Sequence, residues 1–136
     1  MKDSPARGGA PAGSRTQAVG RWGEAQAAAY LEQRGYAVLG RNLRTPHGEI
    51  DLLVRGSEGL VFVEVKARAS DSLGPPEISV TARKQAHLLA AARAWLQAHP
   101  ELDGDWRVDV LAILRRRNAP PEITHFENIL TAVEPD

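Results

Sequence analysis

The chain has 136 residues, 43% of them hydrophobic, with 17 basic and 17 acidic side chains and no cysteine. That length suits one compact domain, and the absence of cysteine excludes disulfides and thiolate metal sites. Zero net charge argues against a general DNA-coating protein, and no run approaches the roughly 20 apolar residues that span a bilayer.

Residues 1–16 are rich in Gly, Ala, Pro and Ser. They offer too little apolar surface to offset the entropy of ordering, so a disordered tail is expected. The tail holds no apolar segment of the secretory type. A reducing, cytoplasmic location fits the lack of cysteine.

Gln17 to Arg34 reads as an Ala-rich helix ended by Gly35. Gly20, Glu24, Ala27, Ala28 and Leu31 share one face. Small residues on that face predict close packing against a sheet, and Glu24 is its lone charge. Tyr36 to Leu43 follows as a strand. Arg44 to Gly48 reads as a loop, and His47 in it is a metal-ligand or general-base candidate beside the ordinary reading of a surface histidine.

Gly48 to Arg68 reads as two apolar strands joined by a tight turn at Gly56–Gly59. Each carries charge where a strand would rather carry valine. Strand side chains alternate faces, so Phe62, Glu64 and Lys66 share one. With Ser57 and Glu58 as the turn residues, paired positions sum to 115. Asp51 then opposes Glu64, with Cβ atoms roughly 4.5–5.5 Å apart, and Glu49 opposes Lys66. Two carboxylates and one ammonium on one face leave a negative excess. A structural ion pair between Glu64 and Lys66, with Asp51 at the rim, is one reading. A divalent cation held by oxygen ligands is the other, and Mg²⁺ commonly takes one or two carboxylates plus phosphate oxygens. Of the 17 basic residues only three are Lys, so Lys66 departs from the chain's own habit.

Gly74-Pro75-Pro76 marks a loop, and Ser79 to His99 a second helix with Ser79 or Thr81 as N-cap. Lys84, Leu88, Ala91 and Trp95 form its inward stripe. Lys84 heads that stripe, either snorkelling or contacting phosphate. Arg83 and His87 are expected on the outer side. No acid occurs from Ile78 to Pro100, and no Lys or Arg from Asn118 to Asp136, so basic charge is local.

Trp106 to Leu114 is a strand with Asp109 inside it, there to orient a basic residue or to satisfy a structural hydrogen bond. Arg115-Arg116-Arg117 end it. Glu122 to Leu130 is a final edge strand before an acidic tail over residues 132–136. The element order predicts one α/β domain over residues 17–131, a mixed sheet with helices packed on it.

G-E-I-D-L-L followed by V-F-V-E-V-K-A-R resembles the D…E-x-K core of the PD-(D/E)XK nuclease superfamily. With W-G-E-A-Q-A-A-A-Y-L before it and W-R-V-D-V after it, the string is similar to the YraN-like bacterial family, itself similar to archaeal Holliday-junction resolvases. The resemblance covers about residues 17–130. It implies a restriction-endonuclease-like fold and a Mg²⁺-dependent endonuclease acting on DNA, with Mn²⁺ as a substitute and branched or junction DNA among the substrates. Asp51, Glu64 and Glu24 would hold the metal. Lys66 would orient water or stabilise developing charge. Lys84, Arg83 and Arg68 are the expected phosphate contacts, and a homodimer would suit a junction with two equivalent strands. The alternative is a non-catalytic nucleic-acid-binding or assembly module that kept the fold.

Overall fold

The computed structural model describes residues 14–69 and 82–129. Helix α1 spans Ser14–Gln33, and strands β1 (Ala37–Thr45), β2 (Gly48–Gly56) and β3 (Gly59–Ala69) follow. Helix α2 (Ala82–Ala98) then leads to β4 (Trp106–Arg115) and β5 (Glu122–Phe126). The five strands form one sheet in the order β1-β2-β3-β4-β5. Only β3 and β4 are parallel, and α2 lies between them in sequence. The expected mixed α/β sheet flanked by helices is therefore what folds.

Period-two patterning splits the core into two layers. Leu60 and Phe62 of β3 pack with Leu88, Ala91 and Ala92 of α2. Their neighbours Val61 and Val63 pack with Ala27 and Leu31 of α1. Alternation along β3 thus sends successive residues to opposite helices. The inward stripe expected of α2 holds: Leu88 and Ala91 are buried and Trp95 packs against them.

The β2–β3 turn falls at Ser57-Glu58, and the pairs Gly56–Gly59 through Leu52–Val63 all sum to 115, as expected. Gly59 has φ +132°, and a Cβ there would strike the Asp105 carbonyl, so the turn needs glycine. Beyond Leu52 and Val63 the two strands cease to pair, so the expected pairing of Asp51 directly opposite Glu64 does not form. Ile50 packs on the α2 side with Leu53, although alternation from Leu52 would send it to the α1 side. The side-chain pattern of β2 thus breaks across Asp51.

Several expectations shift. Helix α1 begins at Ser14 rather than Gln17. Ala27, Ala28 and Leu31 of the expected α1 face are buried, while the close contact with the sheet comes at Gly23 rather than at Gly20 of that face. Gly20 is exposed with nothing near its Cβ position, whereas a Cβ on Gly23 would lie 2.5 Å from that of Ala67. The expected loop after β1 shrinks, because β1 runs to Thr45 and pairs antiparallel with β2. The Thr45 hydroxyl closes this turn by donating to the Gly48 carbonyl and accepting from the His47 amide. Strand β5 is an edge strand, as expected, but ends at Phe126. Asn128 there takes φ +55° and turns its amide to Asp109, which ends the ladder. Of the tail expected over residues 1–16, residues 14–16 are helical and 1–13 lie outside the described residues, as do the tail expected over 132–136, the Gly74-Pro75-Pro76 loop and the caps at Ser79 and Thr81. Among the described residues, no helix is long and apolar enough to cross a membrane.

Candidate active site

The site forms where β2 and β3 part. At that point a β3 amide facing β2 has no strand carbonyl to meet, and Asp51 supplies the acceptor. The Val65 N–H donates to Asp51 Oδ2 at 2.7 Å. This leaves Oδ1 for another ligand. Burial pushes the Asp51 carboxyl up to about 7, and the charge of Glu64 adds to it; the Val65 hydrogen bond works in the opposite direction, and Glu24 and Glu49 raise it further. Three neighbouring carboxylates therefore act on Asp51.

Glu64 follows Phe62 on the α2 side of β3, and cations surround it. Lys84 Nζ lies 3.3 Å from Glu64 Oε2, and Lys66 Nζ lies 4.0 Å from the same oxygen. Sequence reading paired Glu64 with Lys66 and did not find that Lys84 stands closer. Burial holds the Lys66 ammonium below its ordinary range, and the adjacent Lys84 charge adds to this. The attraction of Glu64 holds Lys84 above its own. The two ammonium groups are neighbours, and Lys84 is the firmer partner of the carboxylate.

Glu24 approaches from α1. Asn42 of β1, with its amide nitrogen toward Glu24, donates to both carboxylate oxygens at 3.2 Å. Burial raises the Glu24 carboxyl, against the lowering effect of Asn42. Asn42 sits at φ +52°, a conformation asparagine tolerates better than most residues. Nothing in the sequence pointed to this residue. The contact of Gly23 with β3 sets how closely Glu24 approaches the sheet.

The remaining candidates are placed as follows. Glu49 does not oppose Lys66, because the ladder has ended; it is exposed, pairs in register with Arg44 of β1, and acts on Asp51 and Glu24 through its charge. Arg68 lies two residues beyond Lys66 on β3, and Arg83 is exposed in the first turn of α2. His47 lines a separate hollow beside α2, with Arg93 and Trp106.

Asp109 belongs to another network, and the structure answers why it is there. It is fully buried. Arg107 Nε donates to Oδ1 at 2.9 Å, the Asn128 amide donates to Oδ1 at 2.9 Å, and His125 Nε2 lies 2.7 Å from Oδ2. Arg107 also donates to the Tyr36 hydroxyl at 2.8 Å. Burial alone would raise the Asp109 carboxyl, but the bonds from His125, Arg107 and Asn128 outweigh it and hold it low. Asp109 thus orders Arg107 and ties β4 to β5 and to the start of β1.

The donor set can be tested against a metal. Among the described residues, no three His, Asp or Glu side chains stand together as a ready-made ion cage. Asp51 and Glu64 nevertheless give two hard oxygen donors beside unbalanced negative charge. That fits Mg²⁺, which keeps several waters and takes only one or two carboxylates.

The model of the family described as Uncharacterised protein family UPF0102 matches residues 23–113, from Gly23 beside Glu24 through β4. The chain belongs to UPF0102. This is the YraN-like family, within the PD-(D/E)XK nuclease superfamily. A UPF0102 protein of Geotalea uraniireducens is 45% identical over 112 residues, covering 82% of this chain and 88% of the relative. One from Syntrophotalea carbinolica is 47% identical over 109 residues, 79% of this chain and 87% of the relative. Among solved structures, Pyrococcus furiosus SfsA in complex with Ca²⁺ is similar at 19% identity and a TM-score of 0.38, over 82% of this chain and 63% of that one. The UPF0102 match includes Asp51, Glu64, Lys66, Lys84 and Asp109, whereas His125 and Asn128, which bond to Asp109, lie beyond it.

Proposed function

We propose that this UPF0102 protein hydrolyses phosphodiester bonds in DNA with the help of Mg²⁺. The observation that carries the reading is the Asp51 carboxylate, held by Val65 at the parting of two strands and crowded by Glu64. Asp51 and Glu64 would hold the ion, with Mn²⁺ as a substitute, and Glu24 would join them directly or through water. Mg²⁺ held there would polarise the scissile phosphoryl group. Lys66 points its ammonium toward the same carboxylates, where it orients the attacking water and offsets negative charge that develops on the phosphate. Attack in line with the leaving 3′ oxygen breaks that P–O bond and leaves a 5′-phosphate. Lys84, Arg83 and Arg68 contact phosphates on either side. Branched or junction DNA suits this reading, and a symmetric dimer would then present two such sites to two equivalent strands.

A second reading is a binding or assembly module without turnover. The pairing of Glu64 with both lysines favours it, because that set is also a satisfactory ion network. Cleavage of branched and linear DNAs with Mg²⁺, Mn²⁺ or EDTA separates the two. The nuclease reading expects EDTA-sensitive cleavage that Lys66→Met abolishes while DNA binding survives. DNA binding with no cleavage in either metal supports the module instead.

A further inference from the structure

Charge compensation in the site is lopsided. Glu64 Oε2 has two ammonium groups near it, Lys84 at 3.3 Å and Lys66 at 4.0 Å. Asp51, the other carboxylate, takes a backbone N–H instead. A divalent ion lodged between the two carboxylates would lie on the Glu64 carboxylate close beside the ammonium that Oε2 now holds, whichever oxygen it took. An ammonium and a divalent cation repel, so both cannot sit on that carboxylate at short range.

The two lysines differ in how easily each can leave. Lys66 is carried on the same strand as Glu64, two residues away, and strand alternation keeps both on one face. Lys84 comes from the first turn of α2, a different element, on a flexible four-carbon stem. Its side chain is 39% exposed, little more than the 32% of Lys66, so what sets Lys84 apart is its separate element, from which the head can swing outward. The same swing carries it toward solvent, where a nucleic-acid phosphate would lie.

We infer that Lys84 is the resident counter-ion of Glu64 in the metal-free protein and exchanges with the divalent cation, moving to a phosphate of the nucleic acid as the ion loads. The inference rests on the two-carboxylate metal reading above. It makes metal and DNA binding mutually supportive. A phosphate gives the displaced ammonium a new partner, so DNA tightens the ion, and by linkage the ion tightens DNA to the same degree. In the absence of DNA the ion competes with a tethered ammonium and binds weakly.

The test counts free Mn²⁺ by its electron paramagnetic resonance signal, using the full chain and no turnover assay. Wild type, Lys84→Met, Lys84→Arg and Glu64→Gln are titrated with and without a short DNA duplex. Thermal melts establish that each variant is folded. Lys84→Met should bind Mn²⁺ several-fold more tightly than wild type without DNA, and Lys84→Arg should resemble wild type. The duplex should raise Mn²⁺ affinity several-fold in wild type and leave Lys84→Met nearly unchanged. Equal Mn²⁺ affinity in wild type and Lys84→Met, with weaker binding by Glu64→Gln than by wild type, overturns the exchange but keeps the metal site. No Mn²⁺ binding by wild type or Lys84→Met, with or without DNA, overturns the exchange and the proposed function together.

Discussion

The amide of Val65 donates to Asp51 Oδ2 at 2.7 Å, just past the Leu52–Val63 pair where the β2–β3 ladder ends. A side-chain carboxylate thus completes a backbone hydrogen bond that the neighbouring strand no longer provides. The arrangement holds Asp51 in a partly buried position that opposes its ionisation.

The sign of the resulting pH dependence follows from linkage. The folded Asp51 carboxyl titrates near 7, above its ordinary 3.8. The folded state therefore binds the extra proton between those values, and stability falls as pH rises through that window. The contribution is full below about pH 4 and lost above about pH 7, with a ceiling of about 4 kcal/mol. Asp51→Asn keeps an acceptor for Val65 and removes the charge. Urea unfolding from pH 4 to 8 should show a flatter profile for the variant, and equal or greater stability than wild type at pH 8 without metal. Addition of Mg²⁺ should stabilise wild type only. A variant less stable than wild type at pH 8 would mean that Asp51 serves a structural ion pair.

Asn42 offers a local check on Glu24. Its two hydrogen bonds hold the Glu24 carboxyl down against the effect of burial. Asn42→Ala should move the Glu24 titration upward, as followed by carboxyl carbon chemical shifts. An unchanged titration midpoint would refute the Asn42 contact.

Gly23 is expected to resist even alanine. Helix propensity alone would favour Ala by about 1 kcal/mol. The added methyl, however, would lie 2.5 Å from the Ala67 Cβ. Overpacking of this kind costs roughly 1–3 kcal/mol, so Gly23→Ala should destabilise in chemical denaturation. Ala67→Gly should recover part of the loss in the double variant. A more stable Gly23→Ala single variant would show that α1 lifts from the sheet at little cost.

Asp109 should behave in the opposite sense to Asp51. Its carboxyl is held low by His125, Arg107 and Asn128, so its stabilisation is present above about pH 4 and lost as pH falls through the lowered value. Asp109→Ala strands a half-buried Arg107 and should cost about 3–5 kcal/mol at neutral pH. Calorimetry should find a smaller loss for Asp109→Asn, which keeps the shape. A loss under about 1 kcal/mol for Asp109→Ala would show that water replaces the carboxylate freely.

Turn chemistry and period-two alternation made the hairpin legible, and with it the shared face of Glu64 and Lys66. What alternation could not convey is that β2 stays paired with β1 past Asp51 while its pairing with β3 ends at Leu52. Docking angles were equally hidden. Lys84 meets Glu64 and Asn42 meets Glu24 only after two helices settle on opposite faces. The small-residue stripe on α1 was visible and its Ala27, Ala28 and Leu31 are buried, but the close approach of Gly23 to Ala67 was not. Asp109 was visible as a misplaced charge, whereas its cage joins residues as distant as Tyr36 and Asn128.

The single parallel pairing has a consequence for the newly made chain. Strands β1, β2 and β3 meet across tight turns, but β3 must wait for residues 70–105 to pass before β4 arrives. Hairpins close in roughly 1–10 μs, and non-local pairings come later. During the delay β3 presents an open edge containing Val61, Phe62, Val63 and Val65, a template on which two nascent molecules could stick together. Glu64 and Lys66 interrupt that run with opposite charges, the kind of gatekeeper that discourages such pairing. Replacing both with valine would put the harvest of monomeric protein at risk before any chemistry was measured.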